Sequence, residues 1–198
     1  NAVNGTVALN NGIITFTPAP DFHGTASFDY TITDNAGALS TQTVTVNVAA
    51  VNDSPEANAD NAGTLNEETA LTISTASLLA NDVDVDGDTL SLASVSNATG
   101  GTVSLNTQGD VVFSAATGFT GLASFDYTVS DGQGGEMVQS VTIDVADVAE
   151  TSIGTDQDDL LFGTAAGDSL TGGAGDDFLF GRQGADMMAG GLGDDLYS

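Results

Sequence analysis

The stretch Gly154–Ser198 reads GTDQDDLLF, GTAAGDSLT, GGAGDDFLF, GRQGADMMA and GGLGDDLYS, five nonamers without one residue of slippage. Each opens on glycine (Gly154, Gly163, Gly172, Gly181, Gly190) and carries aspartate at its sixth place (Asp159, Asp168, Asp177, Asp186, Asp195). The eighth place is always apolar: Leu161, Leu170, Leu179, Met188 and Tyr197. A strict period of this kind marks a solenoid, in which each unit buries its apolar side chain only by stacking on its neighbours. The last three residues of each nonamer are expected to form a short strand whose middle side chain enters a thin core. A disordered polar linker would not keep its apolar residues in step.

The spacing also dictates chemistry. Glycines allow the positive φ and tight path of a turn, so that backbone carbonyls can face a cation, and aspartate supplies the charge. Calcium takes six to eight hard oxygen ligands, a number that carboxylates and carbonyls of two stacked turns supply together.

The segment resembles the RTX (repeat in toxin) family, with consensus GGxGxDxUx, U being a large apolar residue. Gly172–Phe180 and Gly190–Ser198 match it in full, including Gly172, Gly173, Gly175, Gly190, Gly191 and Gly193. Elsewhere Thr155, Thr164 and Arg182 replace the second glycine, and Gln157 and Ala166 the glycine of place four. The resemblance implies a parallel β-roll with two nonamers per turn and calcium between turns. Asp159, Asp177 and Asp195 would then line one edge, and Asp168 and Asp186 the other. The ion positions implied are the pairs 159/177, 177/195 and 168/186.

The charge balance is extreme: 28 acidic residues face one basic residue, Arg182, for a formal net charge of −27. Nucleic acid and anionic membrane surfaces are excluded as direct partners, since both need clustered lysine or arginine. Each close like-charge pair costs about 1 kcal/mol even in water. Divalent cations are therefore expected to belong to the folded state. With no cysteine, disulfides and thiolate metal sites are ruled out. No apolar run approaches a membrane span. The chain starts in mid-pattern, without an initiator methionine or signal peptide, and is read as part of something longer.

Upstream lies a longer repeat. The sequence from Gly5 to Asp53 returns, with changes, from Gly101 to Glu150, giving a unit of about 96 residues, the size of an immunoglobulin-like sandwich. The first copy is expected to hold only its C-terminal half. Ala26, Phe28, Tyr30 and Ile32 alternate with polar residues, as do their counterparts Ala123, Phe125, Tyr127 and Val129. Val44, Val46 and Val48, and likewise Val141, Ile143 and Val145, repeat that period of two, which indicates strands with one buried face. Turns are expected at Asp34–Gly37 and Asp131–Gly135, further strands near Leu71–Ile73 and Leu90–Leu92, and a short helix around Thr75–Ala80.

These residues, with VNDSP at Val51–Pro55, NEET at Asn66–Thr69, NDVDVDGDTL at Asn81–Leu90 and SDG at Ser130–Gly132, resemble the bacterial cadherin-like domains of large surface adhesins. The resemblance implies calcium between successive domains. Its ligands would be Glu67 or Glu68 near the domain start, Asp82, Asp84 and Asp86 in the aspartate run, and Asn52 with Asp53 in the linker. The LDRE motif of animal cadherins is absent, and the second linker reads DVAE (Asp147–Glu150) where the first reads VND. Asp82, Asp84, Asp86 and Asp88 repel one another unless splayed around a cation or left in open water. The run is not an EF-hand loop, because the twelfth position, which needs a bidentate glutamate, is Ala93.

No catalytic constellation is present. His23 is the sole histidine and has Thr120 as its counterpart in the second copy, there is no HExxH, and the glycine-rich loops lack a phosphate-binding lysine. The expected architecture is all-β: half a cadherin-like domain (1–50), a complete cadherin-like β-sandwich (51–150) and an RTX β-roll (151–198). The expected function is a calcium-binding structural and adhesive region of a large extracellular protein. Its resemblances imply type I secretion and an outside ligand reached through other regions. The alternative is the accessory tail of a secreted protease or lipase whose catalytic domain lies upstream.

Overall fold

A computed structural model of the chain describes residues 1–198 throughout. The first copy contains β1 (Ala2–Val3), β2 (Gly5–Asn10), β3 (Ile13–Pro18), β4 (Gly24–Thr33) and β5 (Leu39–Val48). Strands β2 and β3 pair as a hairpin, and β1, β4 and β5 form an antiparallel sheet in that order. Asp34 closes the β4–β5 turn, its Oδ1 accepting the Ala36 and Ala38 amides. The sequence places a turn there for this reason: a short carboxylate satisfies amides the chain reversal leaves free.

The second copy adds strands that the first lacks. It runs β6 (Asp60–Asn66), β7 (Ala70–Ile73), α1 (Thr75–Leu78), β8 (Ser91–Thr99), β9 (Gly101–Leu105), β10 (Val111–Ala115), β11 (Gly121–Ser130) and β12 (Glu136–Ala146). One sheet has the order β6-β12-β11-β8, with β6 parallel to β12, and the other β7-β10-β9. Helix α1 is a single turn capped by Ser74, whose side chain accepts the Ser77 amide, and a 3-10 turn carries the chain on to Asn81. The alternation read in β11 and β12 becomes the inter-sheet core. Ala123, Phe125, Tyr127, Val129, Val141 and Ile143 are completely buried, against Val111 and Phe113 of β10 and Leu78 of α1. The Phe113 and Phe125 rings stack across the sheets at 6.2 Å.

The first copy keeps the same stack, with Phe16 and Phe28 at 5.9 Å. Ala26 and Phe28 are buried in it, but the far end of the same face stands open. Ile32 is 59% exposed where its counterpart Val129 is 0%. Among residues 1–50, β2 and β3 correspond to β9 and β10 and β1 to the end of β8, while nothing corresponds to β6, β7 or α1. Burial of an alternating strand is conferred by the opposite sheet, not by its own sequence.

The tail contains β13 (Thr151–Ile153), β14 (Leu160–Phe162), β15 (Ser169–Ala174), β16 (Phe178–Phe180), β17 (Met187–Leu192) and β18 (Leu196–Tyr197). They make two parallel sheets, β13-β15-β17 and β14-β16-β18. In both, each residue pairs with the one eighteen further on, such as Leu161 with Leu179 and Leu170 with Met188. Two nonamers thus complete one turn, and the parallel sheets required of a β-roll are present. Leu170 and Leu179 are the fully buried pair of this thin core. At the C-terminal end Met187, Leu192, Leu196 and Tyr197 stand exposed.

Candidate metal centre

The eighteen-residue pitch stacks the sixth-place aspartates in two columns, and the contacts within a column repeat. Oδ1 of Asp177 accepts the Asp159 amide at 2.8 Å, Oδ1 of Asp195 the Asp177 amide at 3.0 Å, and Oδ1 of Asp186 the Asp168 amide at 3.0 Å. One column is Asp159, Asp177 and Asp195; the other is Asp168 and Asp186. Place five adds a parallel column, with the Asp176 amide on Asp158 and the Asp194 amide on Asp176.

The second carboxylate oxygen separates the first turn from the rest. In the first turn it is served by protein donors: Asp159 Oδ2 accepts from the Thr155 amide and hydroxyl at 2.6 and 2.9 Å, and Asp168 Oδ2 from those of Thr164. Asp177 has glycine at the corresponding place. It is 2% exposed and its Oδ2 is buried without a hydrogen-bond partner. A buried, unpaired carboxylate oxygen is expensive, and a hard cation is the partner that removes the cost. The residues present therefore fit calcium best at Asp177.

The replaced glycines follow the same logic. Gly173, Gly175, Gly191 and Gly193 have φ between +113° and +132°. A Cβ on Gly173 would strike the Thr155 carbonyl, on Gly191 that of Gly173, and on Gly193 that of Gly175. Glycine is required where the turn before presses its backbone against the Cα. Thr155, Gln157, Thr164 and Ala166 all lie in the first turn, which no glycine-opened nonamer precedes. Arg182 departs from this pattern in a later turn; it sits at φ +68° with its guanidinium 5.8 Å from the Phe162 ring centroid.

Upstream, the acidic residues divide into three places. Asp84, Asp86 and Asp88 bring ligand atoms within 4.8 Å of one another. Asp84 Oδ1 accepts the Asp86 and Asp88 amides, while its Oδ2 is buried without a partner. Linker residue Asp53 joins this cluster by donating its amide to Asp86 Oδ2 at 2.8 Å. Asn52 instead donates to Asp131 Oδ2 at 2.7 Å. That hydrogen bond first, and then the amides of Gln133, Gly135 and Gly134, hold the Asp131 carboxyl below its ordinary value.

Asp82 does not face the cluster. It turns into the sandwich, accepting the Asn58 amide at 2.8 Å beside the Tyr127 hydroxyl, which donates to the Asn58 carbonyl. Burial first, then Asp60 and Asp82, push the Tyr127 hydroxyl far up, so it remains a donor.

Glu67 lies at the other end of the domain. Strand β12 separates the two ends, and its eleven residues span about 36 Å. Glu67 is 3% exposed, and its Oε1 accepts the Val148 amide at 3.1 Å. That bond holds its carboxyl down, but burial and the adjacent Asp147 outweigh it and the net shift is upward. Asp147 also suffers burial, yet the nearby Glu67 carboxyl and Thr164 hydroxyl and the Ala165 and Ala166 amides bring it below its ordinary value. Its Oδ1 is buried without a partner. Two such carboxylates need a proton or a cation between them. Glu68 sits in an exposed turn at φ +57°.

Sequence reasoning passed over Asp131 and Asp147 as site residues and weighed Asp88 only as part of the aspartate run. Counting eighteen back from Ala165 would have found Asp147, whose Oδ2 accepts the Ala165 amide at 2.6 Å.

Fold and site together define an all-β, calcium-binding repeat region. Residues 51–146 match the cadherin-like domain family, residues 1–47 the bacterial Ig domain family, and residues 153–188 and 162–197 the RTX calcium-binding nonapeptide repeat. The chain thus consists of bacterial Ig-like and cadherin-like domains followed by RTX calcium-binding repeats. The matched families are non-catalytic. No curated protein matches the chain.

Similar solved structures include human mucin-like protocadherin EC1-2, at 16% identity and TM-score 0.43, covering 74% of this chain and 81% of that one. The human desmocollin-1 ectodomain follows at 12% identity and TM-score 0.28, covering 76% and 35%. An endo-fucoidan hydrolase of glycoside hydrolase family 107 has 17% identity and TM-score 0.33, covering 75% of this chain, which spans 23% of the hydrolase. No helix is long and apolar enough to cross a membrane.

Proposed function

We propose that the chain is a calcium-dependent structural and adhesive region of a larger secreted or cell-surface protein. Residues 1–50 and 51–150 act as extender domains, and residues 151–198 form a β-roll that folds on meeting extracellular calcium. The ions lie between turns at Asp159/Asp177, Asp177/Asp195 and Asp168/Asp186, with the glycine-loop carbonyls completing their shells. Further ions stiffen the domain junctions, one at Asp84, Asp86 and Asp88 beside Asn52 and Asp53, another at Glu67 and Asp147. The observation that carries this reading is the buried, unpartnered Oδ2 of Asp177 in a chain of net charge −27.

Export by type I secretion suits such a chain. A tail that stays unwound where calcium is scarce and winds where it is plentiful passes a narrow channel before it becomes compact. If each site has a Kd of roughly 10⁻⁴ M, then about 1 mM calcium stabilises the wound state by roughly 1.4 kcal/mol per site.

The test is circular dichroism of the whole chain in EDTA and in millimolar calcium. Strand signal from the tail is expected to rise with calcium. An identical, fully ordered spectrum in both buffers would end this reading.

A further inference from the structure

The RTX match begins at residue 153, yet the hydrogen-bond pattern of the coil begins earlier. At each sixth place, an amide donates to the aspartate of the next turn and the carbonyl accepts from the strand residue after that aspartate. Asp159 shows this, with its amide on Asp177 and its carbonyl accepting the Phe178 amide at 2.9 Å. Asp168 repeats it with Asp186 and Met187, and Asp177 with Asp195 and Leu196. Glu150 shows the same pair: its amide donates to Asp168 Oδ1 at 2.8 Å and its carbonyl accepts the Ser169 amide at 2.8 Å. Thr151, Ser152 and Ile153 then pair with Ser169, Leu170 and Thr171, again eighteen residues on.

We propose that residues 145–153, VADVAETSI, are a sixth, sequence-disguised nonamer that caps the N-terminal end of the coil, so that the cadherin-like domain is the template on which the tail winds. Glu150 occupies the aspartate's place and Ser152 the apolar one.

The cap is held from behind by the sandwich. Val145, its first residue, is 2% exposed in the sandwich core. The Glu67 amide donates to the Ala146 carbonyl at 2.9 Å, and the Glu67 carboxylate accepts the Val148 amide. The backbone of the cap is therefore fixed before the tail has any turn of its own.

That matters because the first turn of a solenoid is the costly one. Its residues must be ordered with no neighbour to pair with, whereas each later turn adds to a ladder already present. A preformed row at Thr151–Ile153 removes that step at the sandwich end. The sandwich thus offers the tail a row on which to begin winding. The cap also anchors the Asp168 loop, through Asp147 and Glu150.

This inference rests on calcium-driven winding of the repeats, and its test separates the two. The whole chain is titrated with calcium chloride while hydrogen exchange is followed in residues 154–198 and, as an internal control, in β11 and β12. Two variants are compared with the parent. Glu150→Pro removes the amide that reaches Asp168. Ser169→Pro removes the amide that reaches the Glu150 carbonyl and touches nothing in the sandwich.

Losing one such bond lowers the winding constant by about tenfold. With about three ions taken up on winding, the calcium midpoint is expected to rise about twofold in each variant, with β11 and β12 as protected as in the parent. Midpoints unchanged in both variants overturn the cap. Should Glu150→Pro disturb β12, Ser169→Pro decides alone. A parent chain whose tail ignores calcium overturns the calcium reading instead.

Discussion

Asp177 and Asp195 are the same residue type, in the same column, one turn apart, and their replacement by alanine is predicted to differ. Each gives up one hydrogen bond from the preceding turn, the Asp159 amide for Asp177 at 2.8 Å and the Asp177 amide for Asp195 at 3.0 Å. A bond to a charged group contributes about 1.5–3 kcal/mol, and this loss cancels between the variants. The difference is in the ions. Asp177 stands between two stacked partners and, with the ions placed as proposed, serves positions 159/177 and 177/195, whereas Asp195 serves one.

At roughly 1.4 kcal/mol per site in about 1 mM calcium, Asp177→Ala forfeits about 2.8 kcal/mol of calcium-dependent stability and Asp195→Ala about 1.4. The gap corresponds to about a tenfold difference in the wound-to-unwound ratio. In EDTA the order narrows or reverses, because Asp177→Ala also removes a buried, unpartnered oxygen. Isothermal titration gives the stoichiometry, and thermal melts at fixed calcium give the stability. Equal losses of bound calcium in the two variants would refute the column assignment.

Two further outcomes are expected. Gly191→Ala places a Cβ against the Gly173 carbonyl at φ +113° and should destabilise the calcium-loaded tail by about 2 kcal/mol or more, whereas Thr155→Gly, in the first turn, should cost less; melting in saturating calcium compares them. Asp131 has its carboxyl held below the usual 3.8, chiefly by Asn52. Its contribution is therefore complete above the unfolded value and lost as pH falls through the lower folded one. Urea melts in EDTA at descending pH should show Asp131→Asn less stable than the parent near neutrality, with the gap closing in acid. A gap that widened in acid would contradict the assignment.

Much of this protein is legible in its sequence because its two periods are set by local geometry. A nonamer with glycine, aspartate and an apolar residue at fixed places carries its own turn and strand, while the parallel coil and both aspartate columns are what its resemblance to RTX repeats implies. The alternation in Ala123–Val129 likewise marks a strand with one apolar face wherever it occurs.

What needed the tertiary structure are the properties supplied by neighbours. Ile32 and Val129 have the same place in the same repeat, and only the core cluster gathered in the second copy buries Val129, while Ile32 stands in water. Asp82, Asp84, Asp86 and Asp88 look like one ladder, but the chain turns Asp82 toward Tyr127 and gathers the other three. Thr155 and Gly173 share a place, and the carbonyl lying against the second decides which must be glycine. The rung at 145–153 lacks the motif altogether and is recognised by its partners eighteen residues away. Local patterns fix what a segment can form, while exposure, charge pairing and capping depend on contacts between residues distant in the chain, which no single stretch of sequence contains.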